Sequence, residues 1–121
     1  MTRPRVSVIV DTYNHAAYIE QAIESVLAQE LPAGEMEVIV VDDGSSDDTA
    51  ARVARFAGRV RYLRKTNGGQ ASAFNASIPE ARGEIVAFCD GDDWWAPGKL
   101  REVMRVFDER AEVGTVGHGF Y

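Results

Sequence analysis

Three short apolar runs that each stop at an aspartate constrain this chain more than any other feature. Val6-Ser7-Val8-Ile9-Val10 stops at Asp11, Val38-Ile39-Val40-Val41 at Asp42-Asp43-Gly44, and Ile85-Val86-Ala87-Phe88-Cys89 at Asp90. Runs this short and this apolar read as buried strands. Between them lie helical patterns. Ile19, Ala22, Ile23, Val26 and Leu27 recur at the spacing of one helix face, with Asn14 as the expected N-cap and Leu31-Pro32-Ala33-Gly34 as the stop. Ser45-Ser46-Asp47-Asp48 supplies capping hydroxyls and first-turn carboxylates for a second helix. Its expected inner face is Ala50, Val53, Ala54 and Ala57, and Gly58 ends it. Val60-Arg61-Tyr62-Leu63 alternates like a half-exposed strand. Gly68-Gly69 opens a third helix with Ala71, Phe74 and Ile78 expected inward. Pro97 suits the first turn of a fourth helix, with Leu100, Val103, Met104 and Phe107 as its buried stripe. A further strand is expected over residues 113–121.

Strands alternating with amphipathic helices imply an α/β domain. Its sheet is mostly parallel, its crossovers are right-handed and helices cover both faces. At 121 residues the chain is one domain, residues 1–121, with no internal repeat or linker. In such sheets ligands bind beyond the carboxyl ends of the strands. The polar residues fall there: Asp11 and Asn14, Asp42 and Asp43, Asn67, then Asp90, Asp92 and Asp93.

Charge narrows the chemistry. The net charge of −6, from 13 basic and 19 acidic side chains, argues against a nucleic-acid partner, which wants a basic face. Cys89 is the one cysteine, so no internal disulfide is available, and its place in an apolar run predicts a packed thiol. No secretory signal is visible, and no apolar stretch approaches the ~20 residues that span a bilayer. The expected location is the cytoplasm, or peripherally at the inner face of the membrane for a full-length protein. Asp90, Asp92 and Asp93 crowd the end of one strand. Three like charges there call for something positive, and a divalent cation carrying a phosphorylated ligand is the natural partner. The alternative is a solvated acidic turn.

Four segments together resemble the family 2 glycosyltransferases. They are Val6-Ser7-Val8-Ile9-Val10-Asp11-Thr12-Tyr13-Asn14, Val40-Val41-Asp42-Asp43-Gly44-Ser45-Ser46-Asp47-Asp48-Thr49, Asn67-Gly68-Gly69-Gln70 and Asp90-Gly91-Asp92-Asp93. The resemblance covers essentially the whole chain. It implies a GT-A, Rossmann-like fold whose first half binds a nucleotide-sugar donor and whose second half binds a carbohydrate or lipid-linked acceptor, as in cell-envelope polysaccharide synthesis. It makes Asp90-Gly91-Asp92 the Asp-x-Asp motif. Asp92 would ligate Mg²⁺ or Mn²⁺ bridging the donor diphosphate, and Asp90 would sit by the ribose or the metal's water shell. Gly91 would let the backbone pass close to the ligand. Asp93 would support the metal-holding residues or cap the next helix. Asp43 would accept a hydrogen bond from a base N–H, most simply that of uracil, with Asp42 orienting it or satisfying the local backbone. Tyr13 would stack on the base. Asn67, Gly68 and Gly69 would turn backbone N–H groups toward the diphosphate or sugar. Trp94 or Trp95 would form a sugar platform, or pack under the fourth helix.

The chain also departs from the family. Asp11 stands where a small residue or proline is usual, and could contact the base or cap the strand end. Phe74 stands where a basic residue is common, leaving Arg64 or Lys65 as substitutes for its phosphate contact. His15 and His118 receive no role. In this family an Asp of the second half deprotonates the acceptor hydroxyl. That base is expected beyond Tyr121, so the chain is expected to be the donor-binding half, binding a nucleotide with metal but transferring sugar poorly. The oligomeric state is left open. Rival readings are a non-catalytic nucleotide-binding module of the same fold and a metal-dependent phosphohydrolase. A dinucleotide oxidoreductase is disfavoured because Asp11-Thr12-Tyr13-Asn14-His15 contains no glycine.

Overall fold

The computed structural model describes residues 3–32 and 34–109. The elements run β1 (Val6–Thr12), α1 (Ile19–Leu27), β2 (Met36–Asp42), α2 (Thr49–Ala54), β3 (Arg61–Arg64), α3 (Gln70–Ser77), β4 (Ile85–Asp90) and α4 (Lys99–Glu109). A single turn of 3-10 helix, Ile78–Glu80, follows α3. The four strands are parallel, in the order β3-β2-β1-β4. The chain winds outward from β1 through β2 to β3, then returns to the other side of β1. This reversal puts the crevice of the fold between β1 and β4. The strand expected over residues 113–121, and His118 within it, lie outside the described residues.

Side-chain alternation along the strands sorts the molecule into two faces. Val6, Val8 and Val10 of β1, Val38 and Val40 of β2 and Cys89 of β4 pack with Ile19, Ile23 and Val26 of α1. Val53 and Phe56, then Trp95, Leu100 and Met104, complete that core. Ile9 and Val41 point the other way, onto Ala73 and Phe74 of α3. Three helices therefore cover one face and α3 the other, so the expected α/β sheet with helices on both faces is present. The fold is the GT-A, Rossmann-like arrangement.

Several details differ from expectation. β4 is an edge of the described sheet, so only Cys89 of its apolar run is buried and Phe88 is exposed, its ring 4.7 Å from that of Phe74. In α2 the inward residues are Thr49 and Val53, with Phe56 beyond its end, while Ala54 and Ala57 are exposed. In α3 Ala73 and Ser77 face inward, and Ala71 and Ile78 do not. The Ser77 hydroxyl donates to the Ala73 carbonyl, which makes its burial inexpensive. Pro97 precedes α4 rather than entering it, and Gly98, at φ +80°, makes the turn. The free N–H of Leu100 is satisfied from a distance by Gln29 Oε1 at 2.8 Å. Gln29 also donates to the carbonyls of Ser25 and Ala96, so one buried amide ties the end of α1 to the start of α4. Sequence reasoning missed this residue.

Candidate functional site

The same alternation decides which carboxylates meet. Asp11 and Asp90 are partners in the β1–β4 register and lie on the α3 side of the sheet. Gln70, first residue of α3, donates its Nε2 to Asp11 Oδ2 at 3.0 Å and to Asp90 Oδ1 at 3.1 Å. Asp11 is only 8% exposed, and its Oδ1 is buried without a hydrogen-bond partner among the described residues. Burial, and then the neighbouring Asp90, push the Asp11 carboxyl up to about 7.

Asp43 also faces α3. Its carboxylate accepts from Lys65 Nζ (2.9 Å) and Gly68 N (3.0 Å) on one oxygen, and from Asn67 Nδ2 (3.2 Å) and Gly69 N (2.8 Å) on the other. Burial raises its pKa, but these donors outweigh it and hold the carboxyl below the usual range. The backbone N–H groups of Gly68 and Gly69, expected to face a donor phosphate, are therefore spent on Asp43. Gly44 permits this approach. Its φ is +80°, and a Cβ there would stand 2.7 Å from Asn67 N.

Asp42 lies on the opposite face, fully buried. It accepts from Ser45 N (2.9 Å), Tyr62 Oη (2.5 Å) and Arg64 (3.4 Å), so it shapes the β2–α2 turn. Arg64 and Lys65 both lie beside these aspartates, in a cleft also lined by Gly44, Thr66 and Asn67. Phe74, packed on Phe88, takes no part.

Asn14 does not cap α1, whose N-cap is Tyr18. At φ 54° it turns its Oδ1 onto the backbone N–H of Ser46 (2.8 Å) and Asp47 (3.3 Å), while its own N–H donates to Ser45 Oγ. It thus joins the β1–α1 and β2–α2 loops. Tyr13 beside it is 46% exposed, leaving its ring face available to a flat ligand.

The Asp90-Gly91-Asp92-Asp93 turn closes the crevice. Gly91 N donates to the Asp11 carbonyl, and a Cβ on Gly91 would lie 2.7 Å from both Thr12 Oγ1 and His15 Nδ1. The glycine is thus needed for close approach to this chain's own side chains. Asp92 is exposed at the mouth, its Oδ2 3.9 Å from His15 Nε2. Asp93 accepts from Trp94 N (2.8 Å), a contact within the turn. Trp95 is 4% exposed and packs in the core under Lys99, 5.4 Å from its ring, so it is no sugar platform; Trp94, at 43%, is at the surface. Among the described residues no three His, Cys, Asp or Glu side chains gather as a metal cluster. The Asp92 turn nevertheless suits a hard cation, which needs only one or two carboxylates when substrate phosphates supply the rest.

A doubly wound parallel sheet with carboxylates at its switch point defines an α/β domain whose candidate ligand-binding groups lie beyond its strand ends. Glycosyl transferase family 2 matches residues 7–121, and the chain belongs to that family. It is 39% identical over 118 residues to an uncharacterized glycosyltransferase from Nostoc sp., covering 94% of this chain and 36% of the relative. It is 36% identical over 121 residues to the uncharacterized glycosyltransferase EpsJ of Bacillus subtilis, covering 98% and 34%. The chain thus spans about a third of the length of these curated relatives. Among solved structures it resembles the mannosyltransferase PcManGT from Pyrobaculum calidifontis in complex with GDP-Man and Mn²⁺. There the TM-score is 0.82 at 35% identity, over 97% of this chain and 35% of that one. It also resembles S. aureus TarS 1–349 in complex with UDP-GlcNAc, with TM-score 0.80 at 32% identity, over 95% and 37%. Among the described residues no helix is long and apolar enough to cross a membrane.

Proposed function

We propose that this chain supplies the donor-binding part of an inverting, divalent-cation-dependent glycosyltransferase. The enzyme takes a hexosyl or related sugar from a nucleotide-sugar, a UDP-sugar by preference, and passes it to a glycan or lipid-linked acceptor. The observation that carries this reading is the convergence of Asp11, Asp90, Gly91 and Asp92 at the β1–β4 switch point, in a fold shared with proteins bound to UDP-GlcNAc and to GDP-Man with Mn²⁺. Asp92, exposed at the mouth, is assigned the cation, with Asp90 beside it. A bound cation would offset the diphosphate charge and stabilise the leaving nucleoside diphosphate. Tyr13 offers its ring to the base.

Asp43 as the base acceptor carries a condition. A carboxylate has about four lone-pair sites, and four donors already point at Asp43. A base N–H must displace one of them, and Asn67 Nδ2 at 3.2 Å is the longest. The chain, which spans about a third of its curated relatives' length, is assigned the donor-binding part of that reaction.

Calorimetric titration of UDP with Mn²⁺, repeated in EDTA and with Asp92→Ala, tests the reading. Expected is binding that requires the cation and is lost in the variant. Binding of GDP or dTDP but not UDP would overturn the base assignment alone. A folded chain that binds no nucleotide would overturn the function.

A further inference from the structure

His15 is the residue at the Asp92 turn that no reading has used. Its ring is fixed on two sides. Nδ1 lies 3.1 Å from Thr12 Oγ1, and the ring rests against Gly91, where even a methyl group would collide with Nδ1. The tautomer that donates from Nδ1 to Thr12 Oγ1 leaves its lone pair on Nε2. That nitrogen faces Asp92 Oδ2 across 3.9 Å. The gap is too long for a hydrogen bond. Adjacent ligands of an octahedral ion with bonds of about 2.1 Å stand ~3 Å apart, so the exposed Asp92 carboxylate would swing in by about 1 Å to share an ion with Nε2. Ligating histidines characteristically have the other ring nitrogen held by a hydrogen bond, as Thr12 holds this one.

We propose that His15 supplies a nitrogen ligand, through Nε2, to the divalent cation held by Asp92, and so biases this site toward first-row transition ions such as Mn²⁺ over Mg²⁺. The chemistry follows from ligand type: imidazole suits transition metals, whereas Mg²⁺ favours oxygen ligands and retains its waters. The inference rests on the proposed cation site at Asp92. It deepens that reading by naming the second protein ligand and the metal class.

The test uses Mn²⁺ with inorganic pyrophosphate, an anion that brings no nitrogen, on the whole chain. Electron spin-echo modulation reports nitrogen bound to Mn²⁺, and competition with Mg²⁺ gives the affinity ratio. Expected is a ¹⁴N modulation that disappears in His15→Ala and persists in His118→Ala. The preference for Mn²⁺ over Mg²⁺ should fall about tenfold or more in His15→Ala. Thr12→Val, which frees Nδ1 without touching Nε2, should weaken Mn²⁺ binding about tenfold. Mn²⁺ binding that is lost in Asp92→Ala but shows no ¹⁴N signal, or is indifferent to His15→Ala, would overturn the role of His15 and leave the cation site standing. Absence of any Mn²⁺ binding by the native chain would overturn both.

Discussion

Replacing Asp11 with asparagine should stabilise this chain, and more so at high pH. The structure gives the reason. Asp11 is buried beside Asp90, the neutral Gln70 amide donates to both carboxylates, and among the described residues its Oδ1 has no partner. Its carboxyl titrates at about 7 instead of 3.8. Between those values the native chain keeps a proton that the unfolded chain has lost, so stability falls as pH rises from about 4 to 7 and is flat beyond. The full rise corresponds to ~4 kcal/mol, at about 1.4 kcal/mol per tenfold change in acidity. Asp90 is solvent-exposed, and screening reduces this to about 1–3 kcal/mol. Asparagine reproduces the protonated acid, since its Nδ2 can donate to Asp90 while its oxygen accepts from Gln70. Urea unfolding of both proteins in EDTA, at pH 5 and at pH 8, measures the gap between them. The gap should widen in favour of Asp11→Asn at pH 8. A gap that is constant between the two pH values, or that widens in favour of the native chain, would refute the account of a strained carboxylate pair.

Gly91→Ala forces a Cβ to within 2.7 Å of Thr12 Oγ1 and His15 Nδ1, and should cost about 1–3 kcal/mol in urea unfolding, together with any cation affinity at Asp92. Gln29→Ala leaves the Leu100 N–H and the Ala96 carbonyl unsatisfied and should cost about 2–3 kcal/mol; a loss below ~0.5 kcal/mol would show that water replaces the amide. Burial, reinforced by Asp93, pushes the Cys89 thiol up to about 12, so the native chain should resist alkylation by iodoacetamide at pH 8 and react fully in urea; rapid native labelling would contradict the packing.

What could be read from the sequence divides by the range of the interaction involved. The inner face of α1 (Ile19, Ala22, Ile23 and Val26) was legible because large apolar side chains recur at helical spacing and all four are buried. α3 was not, because Ala71, Ala73, Ala76 and Ser77 differ too little in hydrophobicity to mark a face. In α2 a single aromatic, Phe56, outweighs the alanines that flank it. β4 has the composition of a central strand but stands at an edge of the described sheet, and nothing local reveals strand order. The strand-end aspartates were legible as a group, but their partners were not. Asn14 reaches Ser46 and Asp47, and Asp43 reaches residues 65–69, across gaps that only the tertiary fold closes.

Those partners distinguish carboxylates that look alike in sequence. Asp42 and Asp43 are satisfied within the protein, by Arg64 and Tyr62 in one case and by Lys65 and the backbone of α3's first turn in the other. Asp11 and Asp90 share the Gln70 amide. Asp93 turns back on its own chain. Asp92 differs: it is exposed at the mouth, with the His15 imidazole 3.9 Å from its carboxylate. An acidic strand end is costly to assemble, and five of these six aspartates meet donors of the folded chain, Asp11 through one oxygen alone. Asp92 instead faces solvent, and it is the position to which we assign the external cation.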